Sequence, residues 1–243
     1  MLGEPLREAR QTTGQPEPIT RRRLRTPRAA AVAGIVFSLL LGLALTLITM
    51  ASPANPATAG AWLTSSSRRD AFAFALNLVP FAGIAFLWFI GVVRDRIGEH
   101  EDRFFASVFL GSGLLFVAML FAAAAFAGGL IADGASRSGT ALSASTLVLG
   151  RQVAEQLLRL YAMRMAAVFT ISTATIILRT QVGPRWIALL GLASAVILLV
   201  TVGLTPWAEL LFPAWILLLS IDILRTGLRR PPSATRQSEH TAA

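Results

Sequence analysis

The chain has 243 residues, of which 54% are hydrophobic and only 14% charged, where an ordinary soluble domain carries about 25% charged residues. With a mean hydropathy of +0.63, much of this chain has lipid as its solvent, which points to an all-α integral membrane protein built as one compact bundle. The net charge is +9 and all 22 basic residues are arginine; no basic and aromatic platform accompanies them, so nucleic acid is excluded as a partner and the arginines read as topogenic.

Cysteine is absent, which rules out disulfides, thiolate nucleophiles and cysteine metal sites. The two histidines, His100 and His240, stand outside the apolar runs, so no intramembrane haem or histidine-ligated metal is expected, and no cofactor. The lysine-free, alanine-rich composition resembles the codon bias of a high-GC bacterial genome.

Residues 1–27 contain Pro5, Pro16, Pro18, Pro27 and the run 21-RRRLR-25. They are expected to form a disordered basic tail whose arginines lie on anionic lipid. The first span, 29-AAAVAGIVFSLLLGLALTLITM-50, is long enough at about 1.5 Å per residue to cross roughly 30 Å of hydrocarbon. Its length and its long polar lead favour an uncleaved span over a signal peptide. A Pro-, Ala- and Ser-rich loop then runs to Arg68, Arg69 and Asp70.

The second span, 71–93, carries Asn77 and Pro80, and the proline frees the carbonyl of Leu76. The run 94-RDRIGEHEDR-103 sets four carboxylates beside His100. Three interleaved arginines and the lack of ligand spacing make it a solvated turn rather than a metal site. The third span, 104–132, exceeds the roughly 20 residues a bilayer requires and is expected to tilt or to project beyond it. Three further spans follow at 161–179, 186–204 and 207–224. The connection 205-TP-206 joins the last two, with Thr205 placed to cap and Pro206 to start the final helix. The transmembrane domain is thus expected over 28–225, with a disordered tail over 226–243.

Arginine is distributed unevenly over this pattern. Sixteen lie in the two tails and the 94–103 and 179–185 turns, whereas only Arg68, Arg69, Arg137, Arg151, Arg159 and Arg164 lie on the other side. The positive-inside rule then gives six helices with both termini in the cytoplasm of a bacterial plasma membrane.

The stretch 151-RQVAEQLLRLYAMRM-165 brings charge to the threshold of the fourth span. Projected at about 100° per residue, Arg151, Glu155 and Arg159 share one arc and the leucines take the other. That is an amphipathic helix leading into the span, lying in the interface or capping the bundle, with Glu155 able to pair with Arg151 and Arg159 at i,i+4. Arg164 falls on the apolar arc, where an arginine costs a few kcal/mol unless it snorkels or finds a partner. Glu209, in 207-WAELLFP-213, belongs at similar depth. An Arg164–Glu209 pair between the fourth and sixth helices is therefore expected, with Asn77 contributing to the polar interior and snorkelling of both charges as the alternative. Thr170, Ser172, Thr173 and Thr175 are expected to bond their own backbone.

No histidine lies in the membrane to activate Ser136, no paired carboxylates face each other within the spans, and no phosphate loop with lysine occurs, so enzyme activity is not expected. The leading class is a small transporter or a membrane-embedded substrate-binding subunit. The alternative is a non-catalytic subunit or scaffold that assembles with another membrane protein or with copies of itself through small-residue faces.

Overall fold

A computed structural model describes residues 27–51, 66–97, 103–135, 144–181, 183–201 and 205–229. All described residues with regular structure are helical: α1 (Pro27–Ala51), α2 (Ser66–Ile97), α3 (Arg103–Ala135), α4 (Ala144–Glu155), α5 (Met163–Thr180), α6 (Arg185–Thr201) and α7 (Leu211–Arg229). A π-helical segment, Gln156–Ala162, joins α4 to α5, and a 3-10 turn, Pro206–Leu210, leads into α7. The tails 1–26 and 230–243 and the charged run at 98–102 with His100 lie outside the described residues.

Five of the resulting rods are long and apolar enough to cross a membrane: Ala29–Ala51, Ser67–Arg94, Ala106–Ala132, Ser145–Thr180 and Trp207–Thr226. The remaining rod, Arg185–Thr201, fifth in chain order, is apolar but has 17 residues, or about 25 Å of helix. The third rod is even longer than its apolar run requires. The fourth gathers the amphipathic stretch, the π segment and α5 into one continuous rod, so residues 151–165 run on into α5 and pack along α3.

The rods neighbour one another in chain order, α1 against α2, α2 against α3, α3 against the fourth rod, α5 against α6 and α6 against α7. Contact between α7 and α1 closes the ring. Phenylalanines from five rods fill its centre. Phe37 of α1 lies 4.5 Å from Phe86 of α2, ring centre to ring centre. Phe86 meets Phe116 of α3 at 5.2 Å and Phe169 of α5 at 5.1 Å, and Phe116 meets Phe212 of α7 at 5.0 Å. Lipid tails are as apolar as these side chains, so the cluster holds the rods through close packing and edge-to-face ring contacts rather than through water exclusion.

α6 contributes no phenylalanine and is held differently. The indole of Trp215 on α7 packs against Gly191 and donates from Nε1 to the carbonyl of Ile187 at 2.9 Å. A Cβ at residue 191 would stand 2.7 Å from the indole. Gly191→Ala is accordingly expected to cost about 1–3 kcal/mol, the usual penalty for overpacking, seen as earlier loss of helical circular dichroism on titration with dodecyl sulfate. An unchanged midpoint would mean that α6 is free to move away from the indole.

Candidate functional site

Two irregular turns build the polar site. On the last rod, Pro206 starts the helix and Pro213 has no N–H to give the carbonyl of Glu209, so both ends of the segment between them escape α-helical bonding. The chain answers with the 3-10 turn, in which Ala208 donates to the carbonyl of Thr205 at 3.1 Å. Thr205 itself is extended and its hydroxyl makes no cap bond, so the proline alone, rather than a threonine cap, sets where this helix begins. Glu209 is carried inward on the turn and is only 6% exposed.

On the fourth rod, the N–H of Met163 reaches back to the carbonyl of Leu158, one residue further than an α-helix allows. Across this wide turn the i,i+4 alignment no longer holds. Glu155, before the turn, takes Nε of Arg151 at 2.8 Å. Arg159, within it, turns away from Glu155 and faces Glu209 instead, with its Nε 3.6 Å from Oε1. That distance makes an ion pair without a close hydrogen bond.

Glu209 thus pairs with Arg159, and the pairing expected with Arg164 is corrected. Arg164 is exposed on the surface of the bundle. The physical reason for the exchange is the wide turn: one extra residue per turn rotates everything beyond it by roughly 100° relative to a uniform projection. Nothing in the local sequence signals that turn, whereas Pro206 and Pro213 do signal the irregular start of the last helix.

Asn77 joins neither charge. It is exposed on α2, and its Nδ2 donates to the carbonyl of Ala73, one turn back on its own helix, at 2.9 Å. It lines a groove of about 460 Å3 between α2 and α3, together with Ala73, Pro80, Phe121, Ala124 and Gly128. Ala124, Gly128 and Ala132 form a small-residue stripe along this wall, which α2 leaves uncovered.

The four hydroxyls of α5 singled out by the sequence bond to their own helix. Thr170, Ser172, Thr173 and Thr175 each donate to the carbonyl four residues back, at 2.8–2.9 Å. Among the described residues no group of three or more His, Asp or Glu is placed to hold a metal ion. Chemically, the site offers one ion pair, with its carboxylate buried and its guanidinium partly exposed, that clamps the fourth rod to the last, and one apolar groove open to the side. Comparison with known proteins finds no matching family model, no similar curated protein and no similar solved structure.

Proposed function

We propose that this chain is a six-span protein of the bacterial plasma membrane, with both termini in the cytoplasm, that acts as a non-catalytic membrane subunit or scaffold. The observation that carries this reading is the filled centre of the ring: the side chains of Phe37, Phe86, Phe116, Phe169 and Phe212 meet in tilted and edge-to-face contacts across the place where a solute would pass. The arginine asymmetry of sixteen to six supports the orientation. Anionic lipids at the cytoplasmic tails and a second membrane protein, or a second copy of the chain, are its proposed partners.

The second reading, a small transporter or a membrane-embedded substrate-binding subunit, draws on the buried Arg159–Glu209 pair, because an intramembrane ion pair is costly to keep without a use. Native mass spectrometry after gentle extraction from the original membranes separates the two. A stoichiometric second polypeptide, or a defined homo-oligomer, is the expected result. A bare monomer carrying a water-soluble small molecule would transfer the proposal to transport.

A further inference from the structure

We infer that the groove between α2 and α3 binds one anionic phospholipid from the leaflet at the N-terminal end of α2. One acyl chain lies along the groove, and the headgroup phosphate sits at Arg68 and Arg69. This inference is independent of whether the protein is a subunit or a transporter.

The groove opens away from the ring. Val79, Ala82 and Phe86 of α2 and Phe116, Val117 and Leu120 of α3 are buried towards the centre. Asn77, Pro80, Phe121 and Ala125, which line the groove, are exposed. In rods that cross a membrane, an outward apolar groove is filled by lipid or by another helix.

Its length selects between them. On α3 the lining runs from Phe121 to Ala132, eleven residues or about 16 Å of helix, which matches the roughly 15 Å of hydrocarbon in one leaflet. At its inner end the ring of Phe121 packs over Gly83, where no Cβ would fit, and the groove stops near the middle of both rods. A spanning helix from another protein would have to continue past this stop. An acyl chain ends there. Between the two ends Ala124, Gly128 and Ala132 leave a trough, and the atom nearest a Cβ at residue 128 is Leu76 Cδ1 at 4.0 Å.

Charge at the mouth selects the lipid class. Arg69, Ala73, Asn77 and Pro80 follow one another at helical spacing down a single stripe of α2, so the wall that lines the groove carries an arginine one turn above it. Arg68 is exposed beside it, and Asp70 is exposed on the next position round the helix. Guanidinium groups present forked donors that match phosphate oxygens, and the pair stands where an anionic headgroup lies when its chain occupies the trough. The volume of about 460 Å3 falls within the roughly 300–1,000 Å3 of ordinary small-ligand sites.

The test uses the full chain, purified in detergent and mixed with phosphatidylglycerol and phosphatidylcholine of the same acyl composition in equal amounts. Native mass spectra should show one retained phospholipid, with phosphatidylglycerol favoured about tenfold. R68Q/R69Q should bring the two lipids to parity. Gly128→Leu and Ala125→Leu, both pointing new side chains into the groove, should each lower retention of either lipid at least tenfold. Equal retention of both lipids by the unaltered chain, or retention unchanged in both filled-groove variants, would overturn the inference.

Discussion

Arg159→Gln is expected to destabilise the folded protein by about 3 kcal/mol, the lower end of what breaking a buried ion pair costs. The carboxylate of Glu209 is almost wholly buried and would lose the one cation within 4 Å described for it, so that it must take up a proton or remain charged without water or counterion, and either costs stability. The reverse change is milder. Glu209→Gln leaves Arg159, whose side chain is 25% exposed, able to turn its guanidinium outward, so a loss nearer 1 kcal/mol is expected. The double variant should recover most of the stability lost by Arg159→Gln, because no uncompensated charge remains. A double-mutant cycle in mixed micelles, followed by helicity, measures this coupling directly. Arg164→Gln is the internal control and should move the midpoint by less than about 0.5 kcal/mol, as for other surface substitutions. Were Arg164→Gln as costly as Arg159→Gln, the assignment of the partner would be wrong.

Gly34→Ala is the second substitution with a large expected effect. At this residue α1 approaches α7 and α2 so closely that a Cβ would fall on the Ser220 hydroxyl oxygen and 2.8 Å from the ring of Phe89. Ser38 uses its hydroxyl to donate to the carbonyl of Gly34 at 2.7 Å, while Ser220 Oγ is buried without a hydrogen-bond partner. Overpacking at this contact is expected to cost about 2–3 kcal/mol and to loosen the closure of the ring between its first and last rods. Ser220→Ala alone should be neutral or stabilising by up to about 1 kcal/mol, since it removes a buried hydroxyl that makes no bond. Combined with Gly34→Ala it should restore about half of the loss, because Phe89 remains in the way. The same titration with dodecyl sulfate reads all three variants. Additive losses with no recovery in the double variant would show that Ser220 is not what limits the approach.

These two sites differ in how far they could be read from residues alone. Glu209 was visible as an anomaly, a carboxylate two residues inside an apolar run and four before a proline. Its partner was not visible, because the candidate cations Arg159 and Arg164 lie five residues apart and only the π segment between Gln156 and Ala162 decides which faces inward. Gly34 gave no signal at all among 19 glycines; its importance lies in Ser220 and Phe89, which come from the far end of the chain and from the next rod. Asn77 and Pro80 stood out in a span, but whether they faced the ring or the lipid rested on how α2 turns against α3.

The amino-acid sequence by itself determined the material of this protein: apolar runs of bilayer length, separated by prolines and arginines, become helical rods because lipid leaves backbone groups no other partner than the helix. It also determined that the hydroxyls of Thr170, Ser172, Thr173 and Thr175 stay bound to their own backbone, since that bond is local. Only the tertiary structure decided that the rods close into a ring plugged by phenylalanine, that Arg159 rather than Arg164 meets Glu209, and that a groove stays open between α2 and α3. Each of these depends on the rotation of one rod against another. A single wide turn shifts that rotation by about one residue's 100°, a change that uniform helical periodicity does not register.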